Sequence, residues 1–292
     1  MAKQLILHET TRAQIDRFLS NPTQAVLLTG ADGNGKGSIA DHIVSRLLQL
    51  DEEKLVSHPY FMRIVPNGSS ISIENIRELQ KFLQLKTIGE QPLRRALIIE
   101  HAQALTTEAQ NAYLKLLEEP PADTVMVLTV SSSRALLPTM LSRLQTIIVH
   151  SPTEAQLQAM LQASGKDEAS QRQAYFMSGG LPGLLTALIS DDETHPLLAS
   201  VTTAKEILQK SPFERLCLVD GLSKQKETAA AVLEALDRIA QTGVTGAAAK
   251  EDVSRLRQWH AIRKHTAIAR EELSRSASAK LALSNLFLHL PG

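Results

Sequence analysis

The 292-residue chain is poor in aromatics: one Trp, three Tyr and six Phe make up 3% of it. β-Sandwich strands lean on aromatic and β-branched residues, and single-strand platforms stack bases on aromatic rings, so both classes are disfavoured. There is one cysteine, Cys217, which rules out a disulfide framework or a cysteine zinc site within the chain. A lone thiol of this kind is expected to be a small buried hydrophobe. Net charge is lacking too, because 31 Lys and Arg balance 31 Asp and Glu. That argues against a wholly electrostatic DNA binder, while leaving room for one local basic face. No apolar run reaches the roughly 18 residues of a membrane span. The N-terminal MAKQLILHETTRAQ has no basic, apolar, small-residue signal pattern. A cytoplasmic protein with no membrane partner is expected.

What the chain does have is alternation. Short apolar runs at 25–29, 61–65, 96–99, 125–130 and 146–149 read as buried strands. Helical patterns at 38–50, 72–85 and 106–117 lie between them, the last opened by Thr106 and stopped by Pro120-Pro121. Strands alternating with helices imply parallel βαβ units. After Ser151-Pro152 the strand signal ends. Helices are expected at 153–164, 171–177 and 182–189, then a loop at 190–196. From about 200 to 290 everything reads helical, with a break near Gly243-Val244-Thr245-Gly246. The layout is an α/β domain over 1–150, a small helical domain over 151–198 and a helical bundle over 199–292.

Gly30-Ala31-Asp32-Gly33-Asn34-Gly35-Lys36 fits G-x-x-x-x-G-K between a strand and a helix. Gly30, Gly33 and Gly35 let backbone N–H groups turn toward phosphate oxygens. The helix N-terminus adds its dipole and Lys36 a point charge. The next position should carry the hydroxyl that holds Mg²⁺, and it is Gly37. Ser38 lies about 100° further round the helix, so it substitutes only if the register shifts. The acidic strand end, where an Asp and a Glu serve Mg²⁺ and water, reads Glu100-His101. ATP or ADP therefore has a cradle, while Mg²⁺ is doubtful there.

Two further segments complete a resemblance. Glu108-Ala109-Gln110-Asn111-Ala112-Tyr113-Leu114-Lys115-Leu116-Leu117-Glu118-Glu119-Pro120-Pro121 resembles the helix and proline stop of bacterial clamp-loader subunits of the AAA+ family. Leu136-Leu137-Pro138-Thr139-Met140-Leu141-Ser142-Arg143 resembles their arginine-finger segment. With the phosphate loop, the set is most similar to the delta-prime branch of that family. The likeness covers residues 10–150 best, thins to 190 and is weak beyond. It implies an AAA+ nucleotide domain, a helical lid at 151–198 and a C-terminal collar at 199–292 that packs into a ring of five. Its implied partners are gamma/tau and delta subunits, the sliding clamp and primer-template DNA. Delta-prime is the poorly hydrolysing member, lending its finger, here Arg143, to a neighbour. The departures agree with that member. Gly37 and Glu100-His101 are altered, and the lid's Gly-x-Pro-Gly-Arg reads Gly180-Leu181-Pro182-Gly183-Leu184, without its arginine. No four-cysteine zinc module exists. Two other readings stay open: an active ATPase whose metal site Ser38 and Glu100 rescue, and an AAA+ adaptor outside replication.

Weaker signals remain. Residues 250–275 hold seven basic and four acidic residues plus His260 and His265. A solvated helix face is expected there rather than a DNA contact, with Trp259 as a packing anchor. Arg94-Arg95 either contacts DNA or flanks a strand. His8, His42, His58, His150, His195 and His289 show no ligand spacing.

Overall fold

A computed structural model describes residues 5–68, 70–190, 197–274 and 278–291. They cluster into two compact units, 1–156 and 157–292. The first holds five parallel strands, β1 (Ala25–Thr29), β2 (Phe61–Ile64), β3 (Arg95–Ile99), β4 (Thr124–Val130) and β5 (Gln145–Ile148), in the order β2-β3-β4-β1-β5. Its helices are α1 (Glu9–Ser20), α2 (Lys36–Leu48), α3 (Ile73–Leu83), α4 (Thr107–Glu118) and the single turn α5 (Pro138–Leu141). Successive strand residues face opposite ways. Leu27, Leu97, Ile99, Met126 and Leu128 pack with α3 and α4. Val26, Leu28, Ile98, Val127 and Ile147 pack with α1 and α2. Both faces of the central strands β1, β3 and β4 are covered and these strands are almost wholly buried, whereas the edge strands β2 and β5 keep exposed positions. Each fully buried Leu, Ile or Val contributes about 1.5–3 kcal/mol.

The expected strands lie within one residue of the observed ones, and Thr106 caps α4 through its hydroxyl, which accepts from the Ala109 N–H. One helix was not expected. α1 buries Thr11, Ile15 and Phe18, spaced i, i+4, i+7. It also covers the edge strand β5. Thr11 Oγ1 donates to Ile148 O and accepts from His150 N, and Gln14 Oε1 accepts from Ile148 N. Those bonds occupy backbone groups that an open edge would leave exposed.

From α6 (Glu154–Ala163) onward the described chain is helical: α7 (Glu168–Ser178), α8 (Pro182–Ser190), α9 (Leu198–Gln209), α10 (Pro212–Leu222), α11 (Lys226–Ala249), α12 (Val253–Ser274) and α13 (Ala279–His289). Leu184, Val201, Leu236, Ile262 and Leu286 share one core, so the expected boundary at 198/199 falls inside this unit. Residues 191–196 of the expected loop, His195 among them, lie outside the described residues.

Two expectations are corrected here. The expected break at 243–246 is absent, and α11 runs straight through it. A Cβ on Gly243 would lie 2.3 Å from Trp259 Cδ2, so this glycine lets an indole lie against the helix rather than ending it. The turn comes instead at 250–252, with Glu251 at φ +54°. Cys217 is exposed, not buried. α10 turns Arg215 and Val219 inward, one turn apart, and position 217 lies between them on the outer face. Arg215, only 1% exposed, donates to Ile207 O, Leu290 O and Pro291 O at 2.8–3.1 Å. It thereby adds a strong donor to carbonyls at, and just past, the C-terminal ends of α9 and α13.

Candidate functional site: a phosphate loop and a distant arginine

The loop between β1 and α2 sits at the carboxyl end of the sheet, where β4 and β5 diverge around β1. Gly33 and Gly35 adopt φ +84° and +77°, which L side chains resist. A Cβ on Gly30 would stand 2.4 Å from Val149 O, so only glycine fits beneath β5. Asn34 is buried and ties the loop to that strand end. Its Nδ2 donates to Val149 O at 3.2 Å and its Oδ1 accepts from Ser151 Oγ at 3.1 Å. Gly35 caps α2, so Lys36, Gly37 and Ser38 form its first turn, two residues earlier than the expected start.

Lys36 is 6% exposed and turned into its own loop. Nζ donates to Gly30 O (2.7 Å), Ala31 O (2.9 Å) and Asp32 Oδ1 (3.2 Å). Burial lowers its pKa from the usual 10.5, against the pull of Asp32.

At the acidic strand end, Glu100 faces α2. A Cβ on Gly37 would lie 3.5 Å from Glu100 Oε1. That oxygen accepts from Arg63 Nη1 at 2.7 Å, and Arg63 Nη2 donates to Asp41 Oδ1. Burial raises the Asp41 pKa, with Arg63 opposing. Arg63 and Asp41 were missed in the sequence. The available signal was an arginine inside an apolar strand, two residues from Phe61 and so on the α2 side. His101 is exposed at φ +50°, and its N–H donates to Thr129 Oγ1. Leu184 is fully buried in the helical core. Among the described residues no three His, Cys, Asp or Glu side chains converge as a metal set.

Arg143 lies between α5 and β5. Its Nη2 pairs with Glu118 Oε1 and its Nη1 donates to Thr139 O, both at 2.9 Å. Gln145 pairs with Val26, at the start of β1, whereas Gly30 follows its end. Arg143 therefore sits at the amino end of the sheet. Six residues of chain separate its register from the phosphate loop, on the order of 15–20 Å.

Four other basic candidates, Arg94, Arg95, Arg263 and Arg270, are internally engaged. Arg95 is buried and donates to Leu83 O and Leu85 O, and Arg94 donates to Thr87 Oγ1, Gly89 O and Gln91 O. Arg94 precedes β3 and Arg95 is its first residue, and together they pin the loop before it. Asp123 accepts from Thr87 there. Burial acts to raise its pKa, but bonds from Thr87 and Thr124 and the nearby Arg95 and Arg94 bring it below 3.8. On α12, Arg263 and Arg270 pair with Asp237 of α11. Trp259 packs on Gly243 and on Phe176, ring centroids 5.5 Å apart.

A parallel sheet in this order, a glycine-rich loop opening a helix and a helical second unit define an AAA+ fold. A DNA polymerase III gamma subunit-related protein of Thermotoga maritima superposes with a TM-score of 0.54 at 18% identity, over 96% of this chain and 97% of that one. The family described as "DNA polymerase III, delta subunit" matches residues 19–153, within the α/β unit. DNA polymerase III subunit delta' of Pseudomonas aeruginosa is 30% identical over 177 residues, 54% of this chain and 53% of that protein. The Bacillus subtilis delta' subunit is 37% identical over 91 residues, 31% and 27% of the two chains. The chain thus spans between about a quarter and a half of the curated relatives it matches first. Over these segments its sequence is similar to DNA polymerase III delta' subunits. Among the described residues no helix is long and apolar enough to cross a membrane.

Proposed function

We propose that the chain acts as a delta-prime-like subunit of a DNA polymerase III clamp loader. In this reading it joins gamma/tau and delta subunits in a five-membered ring and hydrolyses little or no ATP. It supplies Arg143 to a neighbour's ATP, and the ring places the sliding clamp on primer-template DNA. The observation that carries the reading is the placement of Arg143. It lies at the far end of the sheet from Gly30–Lys36, away from its own loop, and its side chain is 36% exposed. Its present partner, Glu118, is 50% exposed. A surface pair of this kind is worth about 0–1 kcal/mol, so exchanging Glu118 for a phosphate costs little. An arginine finger so supplied accelerates hydrolysis by roughly 10³–10⁵.

Weak hydrolysis by the chain itself is supported by its chemistry. Position 37 has no hydroxyl, Glu100 is paired with Arg63, His101 replaces a carboxylate and Leu184 replaces a lid arginine. ATP or ADP, where it binds, is held by loop amides and Lys36.

Co-purification tests the assignment. The chain mixed with gamma/tau and delta subunits should elute as one complex on size-exclusion chromatography, and alone it should not turn over ATP. A stable homo-ring turning over near the enzyme median of about 10 s⁻¹ would contradict it.

A further inference from the structure

We propose that Arg63 is a resident cation that occupies the charge position of a divalent metal beside the phosphate loop and keeps the metal out. The inference rests on reading residues 30–38 as a phosphate loop, and it stands whether or not Arg143 serves a neighbour.

Three elements converge on this spot. Gly37 and Asp41 lie one turn apart on the same face of α2. Glu100 ends β3 and faces Gly37, close enough that a hydroxyl at position 37 and the Glu100 carboxylate would bind one ion together. Mg²⁺ is commonly held by one or two carboxylates, with waters and phosphate completing the octahedron. Asp41 and Glu100 are two such carboxylates. The Arg63 guanidinium lies between them, one arm on each. Its planar fork suits two carboxylates, and it cannot lose its proton to make way. Arg63 Cζ also lies 5.6 Å from the centroid of the Phe61 ring, on the same face of β2. A dication entering here would have to break two charge-assisted bonds and meet a fixed positive charge. Position 37 offers no oxygen in exchange. The donor set therefore does not fit magnesium, and whatever nucleotide the loop holds is held without a metal at this place.

The test titrates Mn²⁺ alone into the full-length chain, following free Mn²⁺ by electron paramagnetic resonance and folding by circular dichroism. The wild type should take up no Mn²⁺ that Glu100→Gln abolishes. Arg63→Met should gain one Mn²⁺ per chain, bound at least about tenfold tighter than by the wild type. Arg63→Met/Glu100→Gln should lose that gain. Wild-type binding that depends on Glu100 overturns the proposal, and so does a folded Arg63→Met with no gain. If Arg63→Met does not fold, the wild type and Glu100→Gln decide between them by the same criterion. The probe contains neither nucleotide nor partner, so failure here leaves the subunit assignment untouched.

Discussion

Lys36 directs its three donors at its own loop, and one acceptor is a carboxylate. A phosphate approaching Lys36 has to compete with Asp32, which also repels it. Asp32 is half exposed, so solvent screens both effects. Asp32→Asn should therefore strengthen ATP or ADP binding only modestly, by about two- to fivefold, as less than about 1 kcal/mol is at stake. Isothermal titration calorimetry in metal-free buffer reads this, and an unchanged or weaker affinity would refute it. At this scale the sequence carried the spacing of Gly30 to Lys36 and the missing hydroxyl at Gly37, because both are properties of single positions. It did not carry Arg63 to Asp41 and Glu100, since that contact needs the β2–β3 register and the helix face known together. Cys217 was misread for a related reason: composition favours burial, but the faces of α10 decide it.

Among elements, α11 shows where local punctuation misleads. Glycine costs about 1 kcal/mol relative to alanine inside a helix, and two within four residues read as a break. Gly243 has a tertiary reason instead, because the Trp259 ring lies on it. Gly243→Ala should gain that helix propensity and still lose overall, by about 1–3 kcal/mol, because the added Cβ overlaps the indole and the ring must leave its present contact with the helix. Trp259 is the sole tryptophan, so denaturant unfolding followed by its fluorescence reports both the midpoint and the altered ring environment. A higher midpoint would mean that the indole contact does not constrain the helix. The strands were legible within a residue because the central ones, buried on both faces, are nearly continuous apolar runs, and the edge strands β2 and β5 keep short apolar stretches beside them. α1 was overlooked although Thr11, Ile15 and Phe18 keep helical spacing, since its polar residues outnumber that stripe.

For the whole molecule, the parallel sheet sets the two ends of the α/β unit apart. Every strand runs the same way, so loops after strands gather at one end and segments before strands at the other. The phosphate loop and Glu100 belong to the first group and Arg143 to the second. That separation was not visible in the sequence, where the motifs follow one another along the chain. It sets the glycine-rich loop at one end of the unit and Arg143 at the other. Arg143→Ala tests this directly. In a complex reconstituted with gamma/tau and delta subunits, clamp and primed DNA, the variant should fold, assemble and keep the nucleotide affinity of its own loop. ATP hydrolysis at one ring site and clamp loading should fall, and Arg143→Lys should recover little, because lysine lacks the planar fork. Clamp loading by Arg143→Ala at the wild-type rate would contradict the account and leave Arg143 a surface residue paired with Glu118.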